Sequence, residues 1–244
     1  MIVQLVDQLR TDIDADTIIG IGIAATGVVE DGVIRESTVL GWRDLDLRGM
    51  LERRFGFPVT ISNDVVCSML AERFFGHGDK SMLFIKIDRG IGAATLIDDV
   101  TVIGQNHAGG EIGHISLDPE SGVLCPCGKR GCLETMVTSP VIRERIRRAS
   151  TPEEQLDIIR SCGEQLAAAL AMPIGLLDIN DICVYGPPDI VNAAFLEATQ
   201  RRVDMVSSSK FHNHTSVRRC QVGSDIALRG SAIDVVHHYI ENGH

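Results

Sequence analysis

No stretch of this chain is apolar for long enough to span a bilayer, and its start lacks the basic residues and apolar core of a secretory signal. Internal repeats and low-complexity tracts are absent as well, which sets aside solenoids and flexible linkers. Positive charge is also short: 244 residues carry a formal net charge of −10, so the chain has no global attraction for a polyanion such as duplex DNA. Its longest basic cluster, Arg143-Glu144-Arg145-Ile146-Arg147-Arg148, lies in a helical pattern and reads as a solvated helix face. A disulfide framework is missing too. Of seven cysteines, Cys67, Cys162, Cys183 and Cys220 sit singly along the chain, the usage of a reducing compartment, and a cytoplasmic protein is expected.

The remaining three cysteines are concentrated. Gly110 to Glu134 reads G-E-I-G-H, then ten residues, then C-P-C-G-K-R-G-C-L-E. Cys125, Cys127 and Cys132 can supply three thiolates and His114 one neutral nitrogen, a closed set that structural zinc prefers over other divalent ions. Gly128 and Gly131 allow the tight turns that would gather these side chains around one ion. The competing reading is three small buried thiols and a surface histidine.

With 44% hydrophobic residues the chain can bury one large core or two modest ones. Helical spacing runs through Ile2 to Leu9, and Thr17 to Ala25 suits a buried strand. Asp31-Gly32 marks a hairpin turn between Val28-Val29 and Val33-Ile34. A helix is expected over Leu45 to Phe55, a strand over Pro58 to Ser62 and a helix over Asp64 to Phe75. Strands at Ser81 to Asp88 and Ala93 to Ile97 flank a turn, Arg89-Gly90-Ile91-Gly92. Helices follow at Ser139 to Ala149 and at Pro152 to Met172, the latter capped by Thr151. A strand at Asp181 to Tyr185, a helix at Ile190 to Val206, a polar loop at 207–215 and a last helix at Ser224 to Ile240 complete an α/β order.

E-x-G-H followed by C-x-C-G-x-x-G-C-x-E resembles the ROK family of bacterial repressors, open reading frames and sugar kinases. The resemblance implies an actin-like, ribonuclease-H-like fold: a first lobe of residues 1–78 onto which the final helix, 227–244, packs, and a second lobe of 79–226 containing the zinc loop 114–132. It also implies that Glu111, His114 and Glu134 surround a hexose while zinc organises the site. Asn63-Asp64 follows a strand and precedes a helix, a position where open α/β sheets place ligands and where such residues also simply cap helices. Family members carry N-D before A-L-A-E, and N-D-V-V-C-S-M-L-A-E here resembles that segment, which adds Asn63 and Asp64 to the sugar contacts. In a kinase, Asp64 would be the general base.

Against a kinase, the family's nucleotide loop, G-T-G-I-G-A-G, here reads Asp88-Arg89-Gly90-Ile91-Gly92-Ala93-Ala94, which retains Gly90 and Gly92 but sets the Asp88 carboxylate beside a phosphate position, with Arg89 as a partial compensation. Gly186-Pro187-Pro188 stands where kinases carry a G-G pair, and no D-x-G-G-T hairpin precedes Thr17. The expectation is therefore the sugar-sensing, oligomerising part of a ROK transcriptional regulator, N-terminally incomplete, a homodimer or homotetramer that binds a sugar or sugar phosphate. DNA would be contacted only through a missing N-terminal helix-turn-helix. The alternatives are an ATP- and Mg-dependent hexose or N-acetylhexosamine kinase, and an incomplete product with an exposed sheet edge.

Overall fold

The computed structural model describes residues 2–11, 13–207 and 214–242, and the chain divides into two compact units, Met1–Phe75 with Val222–His244, and Gly76–Gln221. The first unit runs α1 (Ile2–Thr11), β1 (Ile21–Ala25), β2 (Val28–Glu30), β3 (Val33–Ser37), β4 (Trp42–Leu45), α2 (Leu47–Phe55), β5 (Val59–Asn63) and α3 (Asp64–Phe75). β1 pairs in parallel with β5, and β2, β3 and β4 form an antiparallel meander. The β2–β3 hairpin turns through Asp31 and Gly32, whose φ values of 49° and 78° are both left-handed, the geometry that matches strand twist in a two-residue hairpin. Ile34, Leu51, Phe55, Val59 and Ile61 form the centre of this unit's core, with Ile2 and Val6 of α1 packed against it.

The second unit contains β6 (Met82–Ile87), β7 (Ile91–Ile97), β8 (Val100–Val102), α4 (Glu134–Val137), α5 (Ser139–Arg148), α6 (Pro152–Leu177), β9 (Asp181–Tyr185), α7 (Ala193–Val206) and β10 (Ser216–Arg219). Its five-stranded sheet has the order β10-β9-β6-β7-β8, antiparallel from β6 to β8 and parallel from β6 through β9 to β10. β6 is buried at every position but Lys86, as a central strand covered on both faces should be. α6 and α7 pack against each other, with Leu166, Leu170 and Phe195 fully buried.

α8 (Ile226–Glu241) returns to the first unit and packs on α3, β1 and β5. Glycines set this closeness. A Cβ on Gly22 of β1 would sit 2.3 Å from the Ser231 carbonyl, and one on Gly230 would sit 1.6 Å from the Cys67 carbonyl of α3. Only a bare backbone fits at either point.

Several boundaries differ from those the sequence predicts. Residues 42–45 are strand, and α2 starts after Asp46, whose side chain accepts from the Gly49 N–H at 2.8 Å. α6 continues past Met172 and through Pro173 to Leu177, because buried Leu170 and Ile174 hold the last turns to the core despite the missing amide hydrogen. α7 begins at Ala193 behind the Asn192 cap rather than at Ile190. β8 and β10 are additional strands, and α8 begins at Ile226. Residues 208–213 of the polar loop and 243–244 of the last helix lie outside the described residues.

Candidate metal centre and adjoining acidic residues

The strand-poor stretch between β8 and α4 is built around glycines. Gly110, at φ +94°, lies so close to β7 that a Cβ would meet the Ala93 carbonyl at 1.9 Å, and its own carbonyl accepts from the Ala93 N–H at 2.8 Å. That seats the short helical turn Ile112–His114 beside β7. The chain then folds back on itself through isolated antiparallel bridges, Ser116 with Cys132 and Leu124 with Arg130. Gly131, at φ +63°, lies against Asp118 with its would-be Cβ 2.1 Å from the Asp118 carbonyl.

This folding brings the His114, Cys125, Cys127 and Cys132 ligand atoms within 4.8 Å of one another. Nδ1 of His114 is 3.6 Å from the Cys125 sulfur, and the Cys127 and Cys132 sulfurs are 3.6 Å apart. A tetrahedral ion with bonds of about 2.3 Å to sulfur and about 2.05 Å to nitrogen has edges of about 3.8 Å between sulfurs and about 3.6 Å between sulfur and nitrogen. The two edges at 3.6 Å match that geometry, and the four residues together could hold a metal ion. Cys125 and Cys132 are buried, Cys127 is exposed and His114 is half-buried.

Even without an ion the thiols are unequal. A hydrogen bond from the Lys129 backbone N–H brings the Cys127 thiol down to about 7, whereas burial, then its neighbouring thiols, push Cys132 up to about 11. Lys129 does more than space the motif, since its ammonium also donates to the His114 carbonyl at 2.7 Å. Its place between Gly128 and Gly131, inside a turn, is the sequence signal that points to such a role.

Glu134 opens α4 directly after this loop, and its Oε2 lies 3.2 Å from where a Cβ on Gly90 would be and 3.5 Å from one on Gly113. Glu111 immediately precedes the Ile112–His114 turn and is exposed. Gly90 belongs to the β6–β7 turn, but Gly92 does not: it is a β7 residue opposite Lys86, so the turn is tighter than the four residues expected from the sequence. Asn63 and Asp64 belong to the other unit. The Asn63 oxygen accepts from the Val65 and Val66 N–H groups at 2.8 and 3.3 Å, and its amide nitrogen donates to the Gly27 carbonyl at 2.8 Å, so Asn63 caps α3 and ties it to the β1–β2 connection. Asp64 begins that helix and is half-buried, a placement the helix dipole favours for a carboxylate.

Beyond the carboxyl ends of β6 and β9 stand Asp88 and the Gly186-Pro187-Pro188-Asp189 turn. Arg143 of α5 grips Asp189 through two bonds, 2.9 and 3.1 Å, and holds its carboxyl below the usual range. Arg219 ties the same turn from behind by donating to the Val191 carbonyl and, at 3.1 Å, to the Gly186 carbonyl. In the rest of the basic cluster on α5, Glu144 bridges Arg147 and Arg148, while Arg145 reaches the Cys162 sulfur of α6 at 3.2 Å.

The model of the ROK family matches residues 1–237. The chain belongs to the ROK family. Its α/β fold is that of the family's actin-like structures. It is similar over 90% of its length to a ROK glucokinase from Streptomyces griseus solved with glucose and AMPPNP, at a TM-score of 0.77, 24% identity and 82% coverage of that chain. It is also similar to a ROK transcriptional regulator, a homolog of the E. coli MLC protein, over 98% of its length and 67% of that chain, at a TM-score of 0.84 and 23% identity. Among curated ROK relatives, a glucokinase of Halalkalibacterium halodurans is 40% identical over 126 residues, 50% of this chain and 38% of that protein. A putative xylose repressor of a Caldicellulosiruptor species is 33% identical over 198 residues, 71% of this chain and 49% of that protein. The chain thus spans half or less of the length of these curated relatives. Relatives named as regulators and relatives named as kinases stand side by side. Among the described residues, no helix is long and apolar enough to cross a membrane.

Proposed function

We propose that this chain is the sugar-sensing and oligomerising body of a ROK transcriptional regulator of carbohydrate metabolism, acting in the cytoplasm, with operator DNA contacted by a domain outside residues 1–244. The observation that carries this reading is the composition of the turns beyond β6 and β9. Phosphoryl transfer is achieved mainly by oriented donors and a divalent ion around the nucleotide phosphates. These turns instead offer two carboxylates, Asp88 and Asp189, and two prolines without amide hydrogens; Arg143 is committed to Asp189 and Arg219 to backbone carbonyls of the second turn, which leaves Arg89, beside Asp88, as the one guanidinium of the first turn. The similarity to a putative xylose repressor over 71% of the chain supports the same reading.

In this proposal a structural zinc is held by His114, Cys125, Cys127 and Cys132, and supplies a fixed cross-link rather than chemistry. A sugar is recognised in the second unit by Glu111, His114 and Glu134, whose acceptors and donors replace the hydration of neighbouring hydroxyls. The kinase reading keeps one specific support, Asp64 at the start of α3, together with the similarity to a glucokinase. A coupled ADP-release assay with glucose, mannose, N-acetylglucosamine and N-acetylmannosamine separates the two. We expect no sugar-dependent turnover, and calorimetric sugar binding that is lost in Glu111→Ala. Turnover of about 1 per second or faster, abolished in Asp64→Asn, overturns the regulator reading.

A further inference from the structure

The first unit holds a surface cavity of about 360 Å³ that none of the residues discussed so far explains. It lies at the start of β1 and β5 and at the C-terminal end of α8, whereas Asn63 and Asp64 stand at the other end of β5. Its volume is within the range of about 300–1,000 Å³ typical of small-molecule sites. Ile19, Pro58 and Val235 supply apolar wall, Tyr239 an aromatic ring, and four polar side chains join them: Arg48, Thr60, His238 and Asn242.

The hydrogen-bonding state of these groups indicates what would fill the space. The Thr60 side chain lines the cavity, and its hydroxyl oxygen is buried beneath the wall without a partner, an unmet hydrogen-bonding group that a rotation of the side chain would bring to the cavity. Arg48 donates Nε to Glu52 at 3.1 Å, and its stem is wedged against Gly32, where a Cβ would meet it at 2.6 Å. Its other N–H groups have no hydrogen-bond partner among the described residues. Asn242 gives its amide nitrogen to the His238 carbonyl at 2.7 Å, which fixes the carboxamide and leaves its oxygen as an acceptor. The wall therefore offers a donor set at Arg48 and an acceptor at Asn242, with the Thr60 hydroxyl, which can act as either, one side-chain rotation away.

Charge narrows the choice. Arg48 is paired with Glu52, so a charged ligand would lose hydration without a full counter-charge. The wall also includes the C-terminal turn of α8, which opposes an anion. Hydroxyl groups, each both donor and acceptor, match a mixed wall with apolar flanks. We propose that this cavity is a second small-molecule site that binds a neutral polyol of monosaccharide size, independent of the acidic residues beside the metal loop.

The test is a titration of the isotopically labelled full chain, carrying Glu111→Ala to remove the other proposed sugar contact, with D-xylose, D-glucose and glycerol, followed by NMR. Saturable shifts are expected at the Thr60, His238 and Asn242 amides for at least one probe, with affinity falling roughly five- to tenfold in Thr60→Val, as loss of one hydrogen bond predicts. Arg48→Met provides a second variant should Thr60→Val fold poorly, and the same direction is expected. Absence of saturable shifts with all three probes overturns the proposal, as does binding that is unchanged in both variants. Neither result bears on sugar binding through Glu111, which is measured separately by calorimetry of the unaltered chain.

Discussion

Replacing Gly131 with alanine tests whether the backbone of the Cys-rich loop is what closes the metal centre. At φ +63° an alanine costs about 1–2 kcal/mol from its left-handed backbone alone. The added Cβ would also lie 2.1 Å from the Asp118 carbonyl oxygen and 2.8 Å from its Cα, backbone atoms that cannot swing aside, so the two segments must part by about 1 Å. The Asp118 carbonyl accepts from the Gly122 N–H at 3.1 Å and the Gly131 carbonyl from Leu117 at 2.8 Å. Weakening both adds about 1–2 kcal/mol, giving a total of about 2–4 kcal/mol against the closed loop. Because ligation and loop closure are linked, zinc affinity should fall about 30- to 1,000-fold. Gly128→Ala is the internal control: its φ is +90° but nothing lies within 4 Å of the new Cβ, so only a backbone term of about 1–2 kcal/mol applies, and affinity should fall about 5–30-fold. Competition with a chromophoric chelator at neutral pH measures both. A Gly128→Ala protein that loses as much affinity as Gly131→Ala, or a Gly131→Ala protein that binds zinc normally, refutes the reasoning.

Two further outcomes are expected. Asn63→Ala removes the cap of α3 and its tie to Gly27, and should lower stability by about 1–2 kcal/mol in urea unfolding whether or not sugar binding changes. Arg143→Gln should lower the melting temperature only slightly at pH 7, because both partners are about half exposed and solvent screens the pair. The Asp189 carboxyl is depressed by Arg143, so the pair stabilises above the unfolded carboxyl value and is lost as pH falls through the folded one. The difference between wild type and variant should therefore vanish toward acid pH, and a gap that widens on acidification would contradict it.

What the sequence discloses depends on whether a local rule or a distant contact decides the residue. Asp31-Gly32 and Thr151-Pro152 are local, and the structure has the hairpin turn and the helix cap where those residues predict them. β10 is not local: Ser216-Val217-Arg218-Arg219 has one apolar residue, and the strand is fixed by pairing with β9 and by Arg218, which grips the buried Asp181 at 2.7 and 2.9 Å. Pro173 reads as a helix stop, yet burial of Ile174 outweighs one missing bond. In the metal loop the spacing of His114 and the three cysteines is legible, but the contact of Gly131 with Asp118 that folds the loop is not, because a glycine in sequence does not name its neighbour. The Thr60 cavity is invisible for a related reason: its polar residues come from α2, β5 and α8, far apart along the chain.

The return of α8 to the first unit also sets the order in which the molecule can be completed during synthesis. β1, β5 and α3 leave the ribosome before the second unit, but the glycine face of β1 and the Cys67 groove of α3 await a helix that follows it in the chain. The second unit is continuous and can close as soon as β10 has emerged, so the half begun first is finished last. Until α8 is made, a short parallel β1–β5 pair is uncovered on the face meant for it, and long-range closure of this kind is slow. The first unit is therefore where a chaperone would be needed, and where a chain stopped before residue 226 would fail.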